Sequence, residues 1–105
     1  VKWFGEATNL HHVWDSEIID NEQLSYVEWG KHVNRNIEKW QVKAWQSSTV
    51  RDWAQESQDL RKACYDFDEN ANLKYEYSFR HLKTVELRLE QAGVRLAGLL
   101  NSIYD

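Results

Sequence analysis

Proline is absent from this sequence and glycine occurs only four times. Nothing therefore breaks a helix from within by removing a backbone donor, and the chain must be punctuated by Gly, Asn and Asp. There is no low-complexity tract and no internal repeat, which excludes a linker or a repeat array. No apolar run approaches the ~18 residues that a membrane-spanning helix needs. The opening VKWFGEATN lacks the apolar centre of a signal peptide, so any export signal is expected outside this chain. The single cysteine, Cys64, cannot form an internal disulfide; its thiol is free and buried, or its partner is on another chain. No N-x-S/T sequon occurs. Excess positive charge is missing as well: the formal net charge is −4, which counts against a basic patch for nucleic acid. It leaves room for a metal-dependent enzyme acting on phosphates, because bound divalent cations would reverse the local field.

What the sequence does contain is the size and composition of one globular domain: 105 residues, 42% hydrophobic and 29% charged. Six Trp and five Tyr supply large contact areas whose N–H and O–H groups need partners, and so suggest wide surfaces, some against another polypeptide. VKWF before Gly5 reads as a short strand or an extended entry. Thr8 and Asn9 offer an N-cap to a helix over residues 10–20, closed by DNEQ. Tyr26, Trp29, Gly30, Val33 and Ile37 recur at helical spacing and predict a second helix over 25–36. Trp40, Ala44 and Trp45 mark a short third. Ser48 or Thr49 caps a fourth, running to about Phe67, with Val50, Trp53, Ala54, Leu60 and Cys64 as its inner stripe. DENAN, residues 68–72, is a loop. Leu82, Val85, Leu89, Ala92, Leu96, Leu99 and Ile103 then describe a long terminal helix, in which Gly93 and Gly98 are expected to permit close helix contact. The fold class predicted is all-α.

One stretch carries chemistry. In TNLHHVWDSEII a helical wheel puts Leu10, Trp14 and Ile18 on one flank of His11, and Asp15 and Ile19 on the other, with Val13 on the opposite side. His11 and Asp15 are then expected at the centre of the buried arc. A buried carboxylate requires a cation, donors or a metal. An imidazole and a carboxylate four residues apart can reach one divalent ion, and can equally form a hydrogen bond that only fixes packing. Spacing alone favours the second reading.

Three motifs in order alter that balance. TNLHHVWDSEIID resembles the zinc-binding segment of S1/P1-type nucleases, WAQESQDLRKACYDF resembles their Trp-x-x-Glu-Ser helix, and VELRLEQAGVRLAGLLNSIY resembles their C-terminal helix. The resemblance spans nearly the whole chain. It implies a helical zinc-enzyme fold of the nuclease and phospholipase C type, of which residues 1–105 form a C-terminal fragment starting just after a Gly-Gly-Asn stretch. Three zinc ions in the complete enzyme are implied, with His11 and Asp15 contributing to one of them, alongside upstream residues including the mature N-terminus. Asp15 would then face inward toward zinc. Cys64 stands where the family bonds a cysteine of the upstream half. The implied activity is hydrolysis of single-stranded DNA and RNA to 5′-mononucleotides, with removal of 3′-phosphates, in a secreted or periplasmic enzyme. The fragment alone is expected to be inactive. Activity would fall in strong acid as the ligands protonate.

The remaining candidates read as structural. Asn9 is assigned to the helix cap rather than to catalysis. Glu6 stands where some members carry a base-stacking aromatic. His12, His32 and His81 have no ligand set at helical spacing, and Glu56 and Arg95 are expected to pair with each other or with neighbouring helices, although Arg95 could reach substrate. Two other classes fit less well: a related zinc-dependent phospholipase C, and a helical interaction module without chemistry that would keep its stability in chelator.

Overall fold

The computed structural model describes residues 1–68 and 70–104. The chain begins with a hairpin of β1 (Lys2–Trp3) and β2 (Glu6–Ala7). Its two-residue loop has positive φ at both positions, 49° at Phe4 and 87° at Gly5, the arrangement whose twist matches antiparallel strands. Gly5 adopts it without strain. Phe4 is held there by edge contacts to Trp3 and Tyr75, with ring centroids 5.1 and 4.6 Å away. A third strand, β3 (Asn72–Leu73), pairs in parallel with β1, giving the order β2-β1-β3 with Trp3 opposite both Glu6 and Leu73. Part of the predicted DENAN loop therefore becomes sheet.

The first predicted helix is three continuous pieces: α1 (Leu10–His12), a π-helical turn (Val13–Glu17) and α2 (Ile18–Asn21). Asn9 caps it, its Oδ1 accepting from the His12 N–H at 2.8 Å. Next come α3 (Tyr26–Asn34), α4 (Lys39–Gln46) and α5 (Val50–Cys64), followed after β3 by α6 (Tyr75–Tyr104). Ser25 and Glu28 form a reciprocal capping box at the start of α3, and Thr49 with Asp52 does the same for α5, so Thr49 rather than Ser48 is the cap.

The core consists of Trp3, Val13, Ile18, Leu73, Tyr77 and Val85, with Leu10, Trp14, Phe67 and Leu82 packed around it. It lies between the hairpin, the first helical segment and the first half of α6. The second half of α6 carries α3 and α4. The extents are 49 × 30 × 21 Å with a radius of gyration of 15.5 Å, against about 13 Å for a compact domain of this length.

Two expectations about burial fail for a shared reason. The α5 stripe of Val50, Trp53, Ala54, Leu60 and Cys64 contains no buried residue, and Leu96, Leu99 and Ile103 on α6 are 55–61% exposed. The periodicity is correct, but the described residues cover these faces only in part, with Trp53, Leu60 and Cys64 half-buried. Likewise a Cβ added at Gly93 would meet nothing within 4 Å, whereas at Gly98 it would lie 2.9 Å from Gln46 Cγ. Only Gly98 accommodates a close neighbour in the way predicted for both.

Candidate metal centre

His11 stands at the end of α1 and Asp15 in the middle of the π-helical turn. In that turn the Ile18 N–H reaches back to the Val13 carbonyl, adding one residue to the helical repeat. Val13 and Ile18, five apart, consequently fall on one face and are both fully buried. This is the correction to the helical-wheel expectation. A uniform 100° step places Val13 outward and the His–Asp pair inward. The wider turn buries Val13, leaves Leu10, Trp14 and Ile19 half-buried, and turns the pair outward.

His11 Nε2 and Asp15 Oδ2 lie 2.7 Å apart, with side chains 85% and 64% exposed. Among the described residues the two are joined only to each other. His12 and Glu17 stand beside them at 3.9 Å from each other. Among the described residues no group of three or more His, Cys, Asp or Glu side chains converges as a metal site would require. A cavity of about 350 Å³ adjoins the pair, lined by Trp14, Asp15, Ile19, Val85, Arg88 and Leu89.

Behind this face Trp14 donates its indole N–H to the Tyr77 hydroxyl at 2.9 Å, and Tyr77 donates to the Cys64 carbonyl at 2.6 Å. Burial pushes the Tyr77 hydroxyl up to about 12. The His81 ring packs 4.3 Å from Tyr77 and 5.2 Å from Trp14, and burial holds its pKa below the ordinary histidine value. His81 is thus a packing histidine. His32 is not solvated: its Nε2 meets Glu86 at 2.9 Å, joining α3 to α6. Tyr77 carried no signal in the helical pattern beginning at Leu82. Only the short Tyr75-x-Tyr77 repeat before it marks the place.

A second polar cluster joins α5 to α6. Arg95, 7% exposed, grips Glu56 with two bonds of 2.7 Å. Arg88 Nη1 donates to the same carboxylate at 2.7 Å and Arg88 Nη2 to Ser57 at 2.9 Å. The Arg95 guanidinium lies over Trp53, 5.3 Å from the ring centroid, and Trp53 donates to Ser48 at 2.8 Å. The bond from Arg95, reinforced by Arg88, lowers the Glu56 pKa to about 2. The expected pairing of Glu56 with Arg95 is met through Nη1 and Nη2, while Nε donates to the Ser48 hydroxyl at 3.2 Å. Trp3, Trp29 and Trp45 are core residues as expected, whereas Trp40 is 65% exposed. Cys64 is a half-buried free thiol whose pKa burial raises.

The outward His–Asp pair on a capped helix and the Arg95–Glu56 clamp between α5 and α6 belong to one predominantly helical scaffold. Comparison with known proteins gives it a family. The model of the S1/P1 nuclease family matches residues 1–105. Endonuclease 5 of Arabidopsis thaliana is 36% identical over 126 aligned residues, covering 100% of this chain and 41% of that protein. Endonuclease 4 of the same plant is 32% identical over 128, covering 100% and 40%, and Endonuclease 3 is 35% identical over 125, covering 100% and 41%. The chain belongs to the S1/P1 nuclease family. It spans about two fifths of the length of the curated relatives it matches.

Proposed function

We propose that this chain is the C-terminal part of a zinc-dependent nuclease that cleaves single-stranded DNA and RNA to 5′-mononucleotides and removes 3′-phosphates from nucleotides. In it, His11 and Asp15 are two of the donors to one zinc ion. The observation that carries the proposal is the convergence of His11 Nε2 and Asp15 Oδ2, 2.7 Å apart, on an outward face of a chain whose whole length matches the nuclease family. The residues fit zinc in kind: a ring nitrogen and a carboxylate oxygen are among its ordinary ligands. They do not fit it in number, since three or four protein ligands are usual and no third converges here among the described residues. The remaining donors belong to another part of the protein, and the exposure of the pair leaves them room to approach.

When bound, zinc supplies a water acidified enough to attack phosphorus near neutral pH and positive charge for the leaving oxygen. The chain's own residues do the positioning. Asn9 caps the helix, so His11 begins on a fixed backbone. The buried Val13 and Ile18 seat the turn that presents Asp15. Exposed apolar faces on α5 and α6 and a radius of gyration above that of a compact domain support docking against the upstream part of the same enzyme. Cys64 bonds a cysteine of that part, and the enzyme works outside the cytosol, where such a bond persists.

A second reading has a specific observation in its favour. Exposed residues four apart on a helix pair in this way without any metal, contributing a few tenths of a kcal/mol. Hydrolysis of single-stranded DNA by the zinc-loaded enzyme distinguishes the two. Asp15→Asn should abolish turnover while leaving the melting temperature of the metal-free protein unchanged. Retained turnover assigns the pair to the surface.

A further inference from the structure

The turn that carries Asp15 is the least ordinary backbone in the chain. A π-helical turn is rare and is found mostly as a single turn at functional places. Something must keep it from relaxing into the α-helix that flanks it on both sides. Val13 and Ile18 supply apolar contact, but apolar contact does not fix a rotation. The directional tie comes from the residue next to Asp15. Among the described residues, the bond from Trp14 Nε1 to the Tyr77 hydroxyl is the one side-chain hydrogen bond that leaves this turn for another element.

Tyr77 is built to receive it. It is 4% exposed, and its ring is flanked edge-on by Phe67 at 5.9 Å and Trp14 at 6.3 Å, with His81 at 4.3 Å. Its hydroxyl has one partner in each direction. It accepts from Trp14 and donates to the carbonyl of Cys64, the last residue of α5. Three elements thus meet at one oxygen: the π-helical turn, the end of α5 and the first turns of α6. Because burial pushes its pKa up to about 12, the hydroxyl keeps its proton and donates throughout the pH range of an enzyme.

We infer that Tyr77 is a positioning residue for the metal pair, acting through Trp14 to hold Asp15 in the rotation at which its carboxylate meets His11. The inference rests on the assignment of His11 and Asp15 as zinc donors and goes beyond it by naming what orients them. Outer-shell partners of metal ligands are typically worth 10–100-fold in metal affinity, and a partner one residue removed should lie near the lower figure.

The test is zinc affinity of the intact nuclease, measured by competition with a chelator, in Tyr77→Phe, Trp14→Phe and the double variant. Each single change should weaken the zinc that Asp15→Asn removes about tenfold. The double should lose no more than either single, because both remove one bond. Thr49→Ala, which removes the N-cap bond of α5, should lower the melting temperature and leave zinc affinity at the native value. Native zinc affinity in Tyr77→Phe, or losses that add in the double, would overturn the positioning role. Trp14→Phe alters a half-buried side chain and remains informative if Tyr77→Phe does not fold. Asp15→Asn separates the two claims: native zinc affinity there would refute the donor assignment itself.

Discussion

Along α6 the protein handles charge in two opposite ways. Near Arg88 and Arg95 a carboxylate is closed in by two guanidiniums, every bond at 2.7 Å, and the Glu56 pKa falls to about 2. Beside its first half, His11 and Asp15 meet at the same distance but stand 85% and 64% exposed, with no third group converging on them among the described residues. The strongly perturbed group is the one that holds helices together. Under the proposed assignment the open pair is the one that takes a ligand, and the perturbed pKa belongs to a structural clamp, which would reverse the usual inference from titration to active site.

Mutations at the two places should separate activity from stability. At the open pair, His11→Ala or Asp15→Asn should reduce zinc-dependent turnover at least about a hundredfold, given that even outer-shell partners are worth 10–100-fold. Calorimetry of the zinc-free protein should show unfolding free energy unchanged to about 0.5 kcal/mol, as for ordinary surface substitutions. At the closed clamp the pattern should invert. Glu56→Gln should cost roughly 2 kcal/mol of stability, the Glu56 side chain being 31% exposed and partly screened, with turnover per folded molecule retained.

The same carboxylate predicts an acid limb. Its folded pKa of about 2 lies below the ordinary value of 4.5, so the unfolded chain takes up the proton first. The stabilisation is complete above pH ~4.5 and is lost as pH falls toward ~2. Denaturant titrations across that window should show a declining stability in the native protein and a flatter profile in Glu56→Gln. Smallest of all are the glycines of α6. Gly93→Ala should stabilise by about 1 kcal/mol through helix propensity, as its Cβ meets nothing within 4 Å. At Gly98 that gain should be offset, since the Cβ displaces a Gln46 side chain that donates to the Val94 carbonyl at 3.1 Å.

Much of the architecture was legible because it is local. Capping residues at Asn9, Ser25 and Thr49 start their helices where the sequence predicts, and the apolar period from Leu82 to Ile103 marks a helix that extends over Tyr75–Tyr104. The π-helical turn was not legible, because a wheel assumes one angular step throughout. One extra residue in the repeat moved Val13 inside and the His–Asp pair outside. β3 was hidden in a stretch read as loop, since two residues paired to a distant strand leave no periodicity. The α5 stripe is apolar as read but not fully buried, because pattern reports what a surface needs and not what covers it. The proposed metal role of His11 and Asp15 rests on the neighbouring motifs, not on the spacing of the two residues.

The most direct test of the whole reading is elemental analysis of zinc per polypeptide in the purified nuclease, native against Asp15→Asn, at matched folding by circular dichroism. The assignment predicts that the variant retains its fold and loses one equivalent of zinc. Equal zinc in both proteins would contradict it and return His11 and Asp15 to an ordinary pair on the surface of a helix.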